Sequence, residues 1–344
     1  MASVRKLLTA SLGTALMAGL GLTACQSYEL QQVEPKAFAA VKKETPIAGK
    51  ALKPYIMLVV DVSGSMLDAA SDASSASKWD GLLRAFADPT AGFLPKSRDM
   101  AHFGLTLFPG VEGGCAPGVV GVPINAENNN VDTVMGKLTA TTPVGGTPIS
   151  PTLQEVLTDP LMVKPEEDDG RLRFVMLLTD GLPNCNPSPA NVARCDACVD
   201  QTSCQDQTNN GCMPVFGSFD FCDQGMDNAP KGSACFDETE TVQAVAALRQ
   251  AGIDTFVIGF GKETALGTVG SRVLNSAAAA GGRGRPDEVK YYQAGNETEL
   301  TNILKEIIDV VQSCDFGLDP APSSENVLQV IVYDRKEEEE ITLQ

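Results

Sequence analysis

The residues from Tyr55 to Met66 constrain the fold more than any other stretch of the chain. They read Tyr-Ile-Met-Leu-Val-Val-Asp-Val-Ser-Gly-Ser-Met, an apolar and partly β-branched run that stops at Asp61. Such a run is typical of a strand buried on both faces, as in a parallel sheet. Ser63 and Ser65 follow in the loop at the carboxyl end of this strand, where open α/β sheets bind their ligands. One carboxylate and two hydroxyls on alternate residues form an oxygen cluster suited to Mg²⁺ or Mn²⁺.

Further apolar runs alternate with segments that have helical spacing. Strands are predicted at 55–60, 102–108, 119–124, 174–179, 255–260 and 289–293. Helices are predicted at 78–93, 131–138, 148–157, 238–250 and 271–280, and a last one, capped by Asn296 or Thr298, runs to residue 311. This alternation predicts a doubly wound α/β fold with a mostly parallel central sheet flanked by helices.

Two further segments extend the oxygen cluster. Thr147 follows two glycines and precedes a predicted helix, and Asp180-Gly181 follows the strand that ends at Thr179. If the strands ending at Val60 and Thr179 are neighbours, their carboxyl-end loops share one crevice with the Gly-Gly-Thr loop. The side chains predicted to form one metal site are Asp61, Ser63, Ser65, Thr147 and Asp180.

This combination resembles the von Willebrand factor type A domain and its metal-ion-dependent adhesion site. The pattern Asp-x-Ser-x-Ser, a distant Thr, and Asp-Gly after an apolar strand is present in full and in order across residues 55–311. The resemblance implies a Rossmann-like fold in which Ser63, Ser65 and Thr147 bind Mg²⁺ directly. It implies that Asp61 and Asp180 coordinate the Mg²⁺ directly or through water. It also implies that an acidic residue of a partner protein completes the coordination.

Each of these residues also has an ordinary structural interpretation. The serines could be loop residues, Thr147 could cap a helix, and Asp180-Gly181 could form a turn. The full set in the right order favours the metal site over these alternatives.

The function predicted from this pattern is binding rather than catalysis. The chain has a single histidine, His102, at the start of a strand, and Val62-Ser63-Gly64-Ser65 does not match the Gly-x-Ser-x-Gly elbow of hydrolases. The predicted protein is a non-enzymatic module that docks a protein partner through Mg²⁺. A structural subunit of an envelope assembly and a metal-dependent hydrolase are the alternatives.

The first residues predict export and a lipid anchor. Arg5 and Lys6 precede an uncharged stretch that ends in Leu-Thr-Ala-Cys at Cys25. This arrangement is typical of a secretory signal. Its last residues resemble the lipobox of bacterial lipoproteins, which implies lipidation of Cys25 and a place in the bacterial cell envelope, at the outer membrane or cell surface. An ordinary signal peptide with a chance cysteine is the alternative.

The charge of the chain limits its partners. The formal net charge is −18. Proteins that bind nucleic acids or anionic membrane surfaces need clustered Lys and Arg side chains instead. We therefore expect no nucleic-acid partner and contact with the membrane through the lipid anchor only.

The chain contains ten cysteines, which in an exported protein favour disulfides over free thiols. Apart from Cys25, the candidates are Cys115, Cys185, Cys195, Cys198, Cys204, Cys212, Cys222, Cys235 and Cys314. Their number is odd and their pairing cannot be deduced from the sequence. Zinc is the alternative for Cys195-x-x-Cys198, with Cys204 and Cys212 as further thiolates.

The predicted organisation places these features in order along the chain. A signal peptide at 1–24 and a tether at 25–53 precede the A-type domain at 54–313. A Cys-rich insertion at 183–236 interrupts that domain, has little periodicity and emerges on the metal-site face. A tail at 314–344 contains an added strand near 327–333 and a charge run at 337–340.

Overall fold

The structure is a computed structural model. It describes residues 50–72, 75–110, 114–163, 171–197, 232–233, 235–311, 316–317, 330–333 and 340–343. The predicted signal peptide, most of the tether and the greater part of the Cys-rich insertion lie outside the described residues.

The centre of the fold is a six-stranded sheet with the strand order β4-β3-β2-β5-β6-β7. Its strands are β2 (Tyr55–Asp61), β3 (His102–Phe108), β4 (Val120–Val122), β5 (Arg173–Thr179), β6 (Ile253–Phe260) and β7 (Tyr292–Ala294). All neighbours are parallel except the edge pair of β3 and β4. The predicted doubly wound, mostly parallel α/β fold is therefore confirmed.

Helices cover both faces of this sheet. They are α1 (Lys78–Ala87), α2 (Phe93–Lys96), α3 (Val131–Thr139), α4 (Ile149–Glu155), α5 (Pro189–Ala197), α6 (Glu238–Gln250), α7 (Val269–Ala280) and α8 (Glu297–Val311). Helices α1, α3 and α8 contribute to the apolar layer on one face, and α4, α6 and α7 to the layer on the other.

The central strand β2 explains why the sheet needs both layers. Ile56, Leu58 and Val60 belong to the first apolar layer, whereas Met57 and Val59 belong to the second. Successive side chains of a strand point to opposite faces, so an unbroken apolar run is stable only when both faces are covered.

The predicted elements differ from the observed ones mainly at their ends. Helix α1 stops at Ala87 because Asp88 precedes Pro89, and a residue before proline is disfavoured in helical conformation. Strand β7 begins at Tyr292 rather than 289, since the Lys290 backbone N–H donates to the Asn275 side chain and not to the sheet. Helix α5 lies in the stretch predicted to be a Cys-rich insertion with little periodicity.

Two smaller strand pairs lie outside the central sheet. Strand β1 (Lys50–Ala51) pairs antiparallel with β8 (Phe316–Gly317). In the terminal unit of the chain, β9 (Val330–Tyr333) pairs antiparallel with β10 (Glu340–Leu343). Within the described ranges, no helix combines the length and hydrophobicity needed to cross a bilayer.

Candidate metal site

The loop after β2 folds back on the carboxylate that ends the strand. Asp61 is fully buried, and its Oδ1 accepts a hydrogen bond from the Ser63 backbone N–H at 2.8 Å. The Ser63 and Ser65 hydroxyl oxygens are 3.1 Å apart. The chain then continues as a 3₁₀ turn, Gly64–Leu67. The oxygen-bearing side chains of Asp61, Ser63 and Ser65 are thus brought close together by the fold of this loop.

Strand β5 brings Asp180 to the same point because it lies directly beside β2. Thr179, the last residue of β5, donates its hydroxyl to Asp61 Oδ2 at 2.6 Å. The Ser65 hydroxyl donates to Asp180 Oδ1 at 3.0 Å. Asp61, Ser63, Ser65 and Asp180 therefore form one hydrogen-bonded network, with Thr179 as an additional member that the sequence pattern did not single out.

The loop that carries Thr147 packs against this network through its backbone. The Gly64 N–H donates to the Gly145 carbonyl at 2.9 Å. Gly145 has a φ of 87°, and a Cβ there would lie 2.7 Å from the Gly114 backbone, so glycine is required. Thr147 is buried, and its N–H donates to Asn184 Oδ1 at 2.7 Å.

A buried lysine completes the surroundings of Asp180. Lys78, the first residue of α1, has a fully buried side chain whose Nζ lies 2.8 Å from Asp180 Oδ2 and 2.9 Å from Glu263 Oε2. Neither Lys78 nor Glu263 was predicted as a site residue. A lysine at the start of an amphipathic helix normally reaches solvent, so the sequence offers no signal for its burial.

Burial shifts the pKa of each ionisable group in the cluster. Burial, and then the charge of Asp180, raises the pKa of Asp61 to about 7. Burial also raises the pKa of Asp180, although Lys78 opposes that shift. For Lys78, burial would lower the pKa, but attraction to Asp180 and Glu263 outweighs it and the pKa is raised. Two neighbouring buried carboxylates are disfavoured as a charged pair unless positive charge lies close to both.

The donor groups fit a small hard cation. They are carboxylate and hydroxyl oxygens, the ligand chemistry of Mg²⁺ and Mn²⁺. Asp61, Ser63 and Asp180 are buried, whereas Ser65 is exposed, so the cluster opens to solvent on one side. No group of three or more His, Cys, Asp or Glu side chains that could hold a metal is found among the described residues.

A disulfide holds the loops beside this cluster together. Cys115 and Cys185 are bonded across a sequence separation of 70 residues. Gly114, next to Cys115, accepts the Gly146 N–H at 2.7 Å, and Cys185 follows Asn184. The bond therefore links the loop after β3 to the loop after β5, on both sides of the Thr147 segment.

The other cysteines are placed only in part. Cys235 is buried and is also disulfide-bonded. The Cys195 side chain and the remaining candidates lie outside the described residues, namely Cys25, Cys198, Cys204, Cys212, Cys222 and Cys314. The choice between disulfides and zinc for Cys195 and Cys198 stays a prediction.

Comparisons with known proteins support the fold. No protein-family model and no curated protein sequence matches the chain. Among solved structures, it is similar to the PilB minor pilin of Streptococcus sanguinis, with a TM-score of 0.50, 17% identity, and coverage of 78% of this chain and 63% of the pilin. The chain thus spans less than two thirds of that structure.

Two further similar structures have lower TM-scores. The SpaC pilus adhesin of Lactobacillus rhamnosus GG gives a TM-score of 0.45 and 17% identity, with 77% of this chain and 31% of the adhesin covered. The manganese-loaded TRAP protein of Plasmodium vivax gives 0.41 and 16%, with 76% of each chain covered.

Proposed function

We propose that this protein is a binding module that docks a protein partner through Mg²⁺ or Mn²⁺. The observation that carries the proposal is the network in which Ser65 connects the Asp61 loop to Asp180, at the carboxyl ends of two adjacent parallel strands. In the proposed site, Asp61, Ser63, Ser65, Thr147 and Asp180 hold the cation. The resemblance to the type A domain gives the same five residues the same role.

The bound cation would supply positive charge to an anionic oxygen of the partner. Mg²⁺ keeps several waters when protein ligands bind it, and an incoming carboxylate can replace one. Ser65 is exposed, so a partner can approach from its side of the cluster. The buried carboxylates would hold the cation in place. Because its open coordination position suits an anionic oxygen, we expect the partner to offer an Asp or Glu side chain.

The position of the single histidine speaks against the hydrolase alternative. His102 begins β3 in register with Tyr55, whereas Asp61 ends β2 in register with Phe108. His102 is therefore at the opposite end of the strands from the oxygen cluster and cannot act there as a general base.

The proposed setting is the bacterial cell envelope. A signal peptide followed by a lipidated Cys25 would place the domain on a tether at the membrane, outside the cytoplasm. The disulfide between Cys115 and Cys185 is compatible with this oxidising compartment. A structural subunit of an envelope assembly is the second candidate, since a type A fold does not specify the partner.

The metal site is tested by titrating Mg²⁺ and Mn²⁺ into variants of the full chain in a calorimeter. We expect Asp180→Ala to abolish binding, because it removes a buried anionic oxygen. That variant also leaves Lys78 without Asp180, so Ser65→Ala serves as a second variant at an exposed position. Asp132→Ala, at an exposed carboxylate paired with Arg98, is the matched control.

Unchanged metal affinity in both site variants, with circular dichroism showing that they are folded, would exclude this site.

The docking role is tested by capturing partners from an envelope extract with and without chelator. If every captured protein stays bound after chelation, the metal does not mediate docking.

A further inference from the structure

A second acidic cluster lies where the Cys-rich insertion leaves and rejoins the domain. Asp237, directly before α6, is fully buried, and its backbone N–H donates to the Pro183 carbonyl at 2.9 Å. Its Oδ1 accepts hydrogen bonds from Asn186 Nδ2 at 2.9 Å and from Asn191 Nδ2 at 3.3 Å. The Asn186 amide also donates to the Ser150 hydroxyl at 3.0 Å.

Two oxygens in this cluster have no hydrogen-bond partner among the described residues. They are Asp237 Oδ2 and Thr241 Oγ1, and both residues are fully buried. Thr241 lies one turn beyond Asp237, and its backbone N–H donates to the Asp237 carbonyl at 3.3 Å. A buried polar oxygen without a partner is costly, and a buried carboxylate most of all.

Glu240 adds a second carboxylate at the same place. Burial, and then the hydrogen bond that the protonated Asp237 carboxyl can donate to Glu240, raises the pKa of Asp237 to about 7, whereas hydrogen bonds from Ser150 and Asn186 lower it in part. The Ser188 hydroxyl donates to Glu240 Oε1 at 2.9 Å. At the neighbouring position, Arg272 Nη2 lies 3.1 Å from Glu238 Oε2.

Helix capping does not account for the arrangement. An acidic residue before a helix usually accepts a hydrogen bond from an N–H group of the first turn. Asp237 makes no such bond through its side chain. Its carboxylate points instead towards oxygen-bearing and amide side chains from three segments of the chain.

We infer that Asp237 and Glu240 form the anionic part of a second cation site, whose oxygen donors suit Ca²⁺. Ca²⁺ takes six to eight oxygen ligands in flexible geometry, and a cation here would give Asp237 Oδ2 and Thr241 Oγ1 a partner. Rotation of the Asn186 amide by a half-turn would present its Oδ1 to the ion in place of the bonds that its Nδ2 makes to Ser150 and Asp237. The Asn191 amide is held in its orientation, because its Nδ2 donates to the Asn186 backbone carbonyl at 2.7 Å. The remaining candidate ligands are therefore Asn186, Ser150 and Thr241.

This second site would fasten the insertion to the domain. Asn186 and Asn191 belong to its first residues, Asp237 follows its last ones, and Ser150 lies on α4 just after Thr147. A bound ion would join all three segments directly behind the Thr147 loop. Its role is therefore structural and separate from the proposed docking of a partner.

The inference is tested by titrating CaCl₂ into the full chain that carries Asp180→Asn, so that the first site is disabled. We expect saturable Ca²⁺ binding and a rise in Tm on adding Ca²⁺. Both are expected to disappear when Asp237→Asn is added, while Asp132→Asn leaves both unchanged. Without Ca²⁺, Asp237→Asn is expected to keep or raise the Tm, since it neutralises a buried carboxylate, and this shows that the variant is folded.

Glu240→Gln, in the same Asp180→Asn background, is the second variant and is expected to weaken Ca²⁺ binding as well. The inference is overturned if the Asp180→Asn chain binds no Ca²⁺. It is equally overturned if binding persists unchanged in both Asp237→Asn and Glu240→Gln.

Discussion

Lys78 lies with its ammonium group between Asp180 and Glu263, on the side of Asp180 away from the Ser65 hydroxyl bond. A buried charge of this kind stabilises its partners only while they are present. Lys78 therefore gives Asp180 a fixed counter-charge in the absence of metal and competes electrostatically with any cation bound nearby. In the proposed site, a metal ion would compete with the Lys78 ammonium group for the negative charge of Asp180.

The variant Lys78→Met tests this role. It leaves Asp180 buried without its ion pair, and breaking a buried pair costs about 3–5 kcal/mol of unfolding free energy. The Tm without metal is expected to fall, and Mg²⁺ is expected to raise the Tm of this variant more than that of the parent. Lys262→Met, which removes a half-exposed ammonium paired with Asp72, is the control. An equal effect of Mg²⁺ on both proteins would contradict the competition.

His102 predicts a pH dependence of stability that is independent of the metal site. Burial lowers its pKa below the usual value, although its Nδ1 is 3.1 Å from the Asn128 carbonyl. The folded state then binds fewer protons than the unfolded state. The contribution of His102 is present above its unfolded pKa and is lost as the pH falls through that value towards the lower folded pKa.

We therefore expect His102→Asn to flatten the fall in Tm below about pH 6.5, the ordinary histidine value. Thermal unfolding of the parent and the variant across this range measures the difference. The prediction fails if the two Tm curves stay parallel.

At the residue scale, the sequence predicted the oxygen-bearing side chains but not their surroundings. Asp61, Ser63 and Ser65 follow a recognisable run, and β2 and β5 had to be neighbours for Asp180 to join them. Lys78 and Glu263 are far apart in sequence, and their contact depends on the packing of α1 against the loop after β6. Side-chain burial of this type follows from tertiary structure and leaves no periodic signal.

At the element scale, the covalent link between Cys115 and Cys185 joins two loops that flank Thr147. A disulfide closing a loop of this length contributes about 2–5 kcal/mol of stability. The loops it joins are also the ones that hold the Gly145-Gly146-Thr147 segment. Its removal should therefore affect metal binding as well as stability.

The double variant Cys115→Ser/Cys185→Ser is expected to unfold at lower denaturant concentration and to bind Mg²⁺ more weakly. Chemical unfolding and calorimetry measure the two effects. Reduction of the parent protein should weaken Mg²⁺ binding in the same direction. Full Mg²⁺ affinity in the folded double variant would show that the bond does not order the site.

Strands and helices could be predicted from the sequence where an apolar run or a helical spacing was unambiguous. The apolar runs of β2, β3, β5 and β6 identify buried strands whatever the context, and α6 was predicted with its observed ends. Short elements were less accurate, because β4 has only three residues and β7 starts where a side chain takes the Lys290 N–H. Helix α5 was missed since its polar sequence lacks an apolar stripe.

At the scale of the whole molecule, the proposed lipid anchor decides where the domain works. We expect Cys25→Ser to move the protein from the membrane fraction to the soluble fraction of a bacterial host, because a lipidated cysteine is the proposed attachment. Fractionation followed by immunoblotting measures this. Cys314→Ser is the matched control and should stay with the membrane. Membrane association that persists without Cys25 would rule out lipidation as the anchor.

The course of β2 also has a mechanical consequence. The strand begins at Tyr55, just after the short β1 ribbon, and ends at Asp61, beside the candidate cation site. Parallel hydrogen-bond ladders to β3 and β5 hold it on both sides along its length. A pulling force between residue 54 and a ligand on the Ser65 loop would act at the two ends of this one strand, so the tension would run along the backbone of β2 itself. The ladders to β3 and β5 would then keep the strand in place without carrying the load, and the chain would transmit tension along a backbone that is already extended.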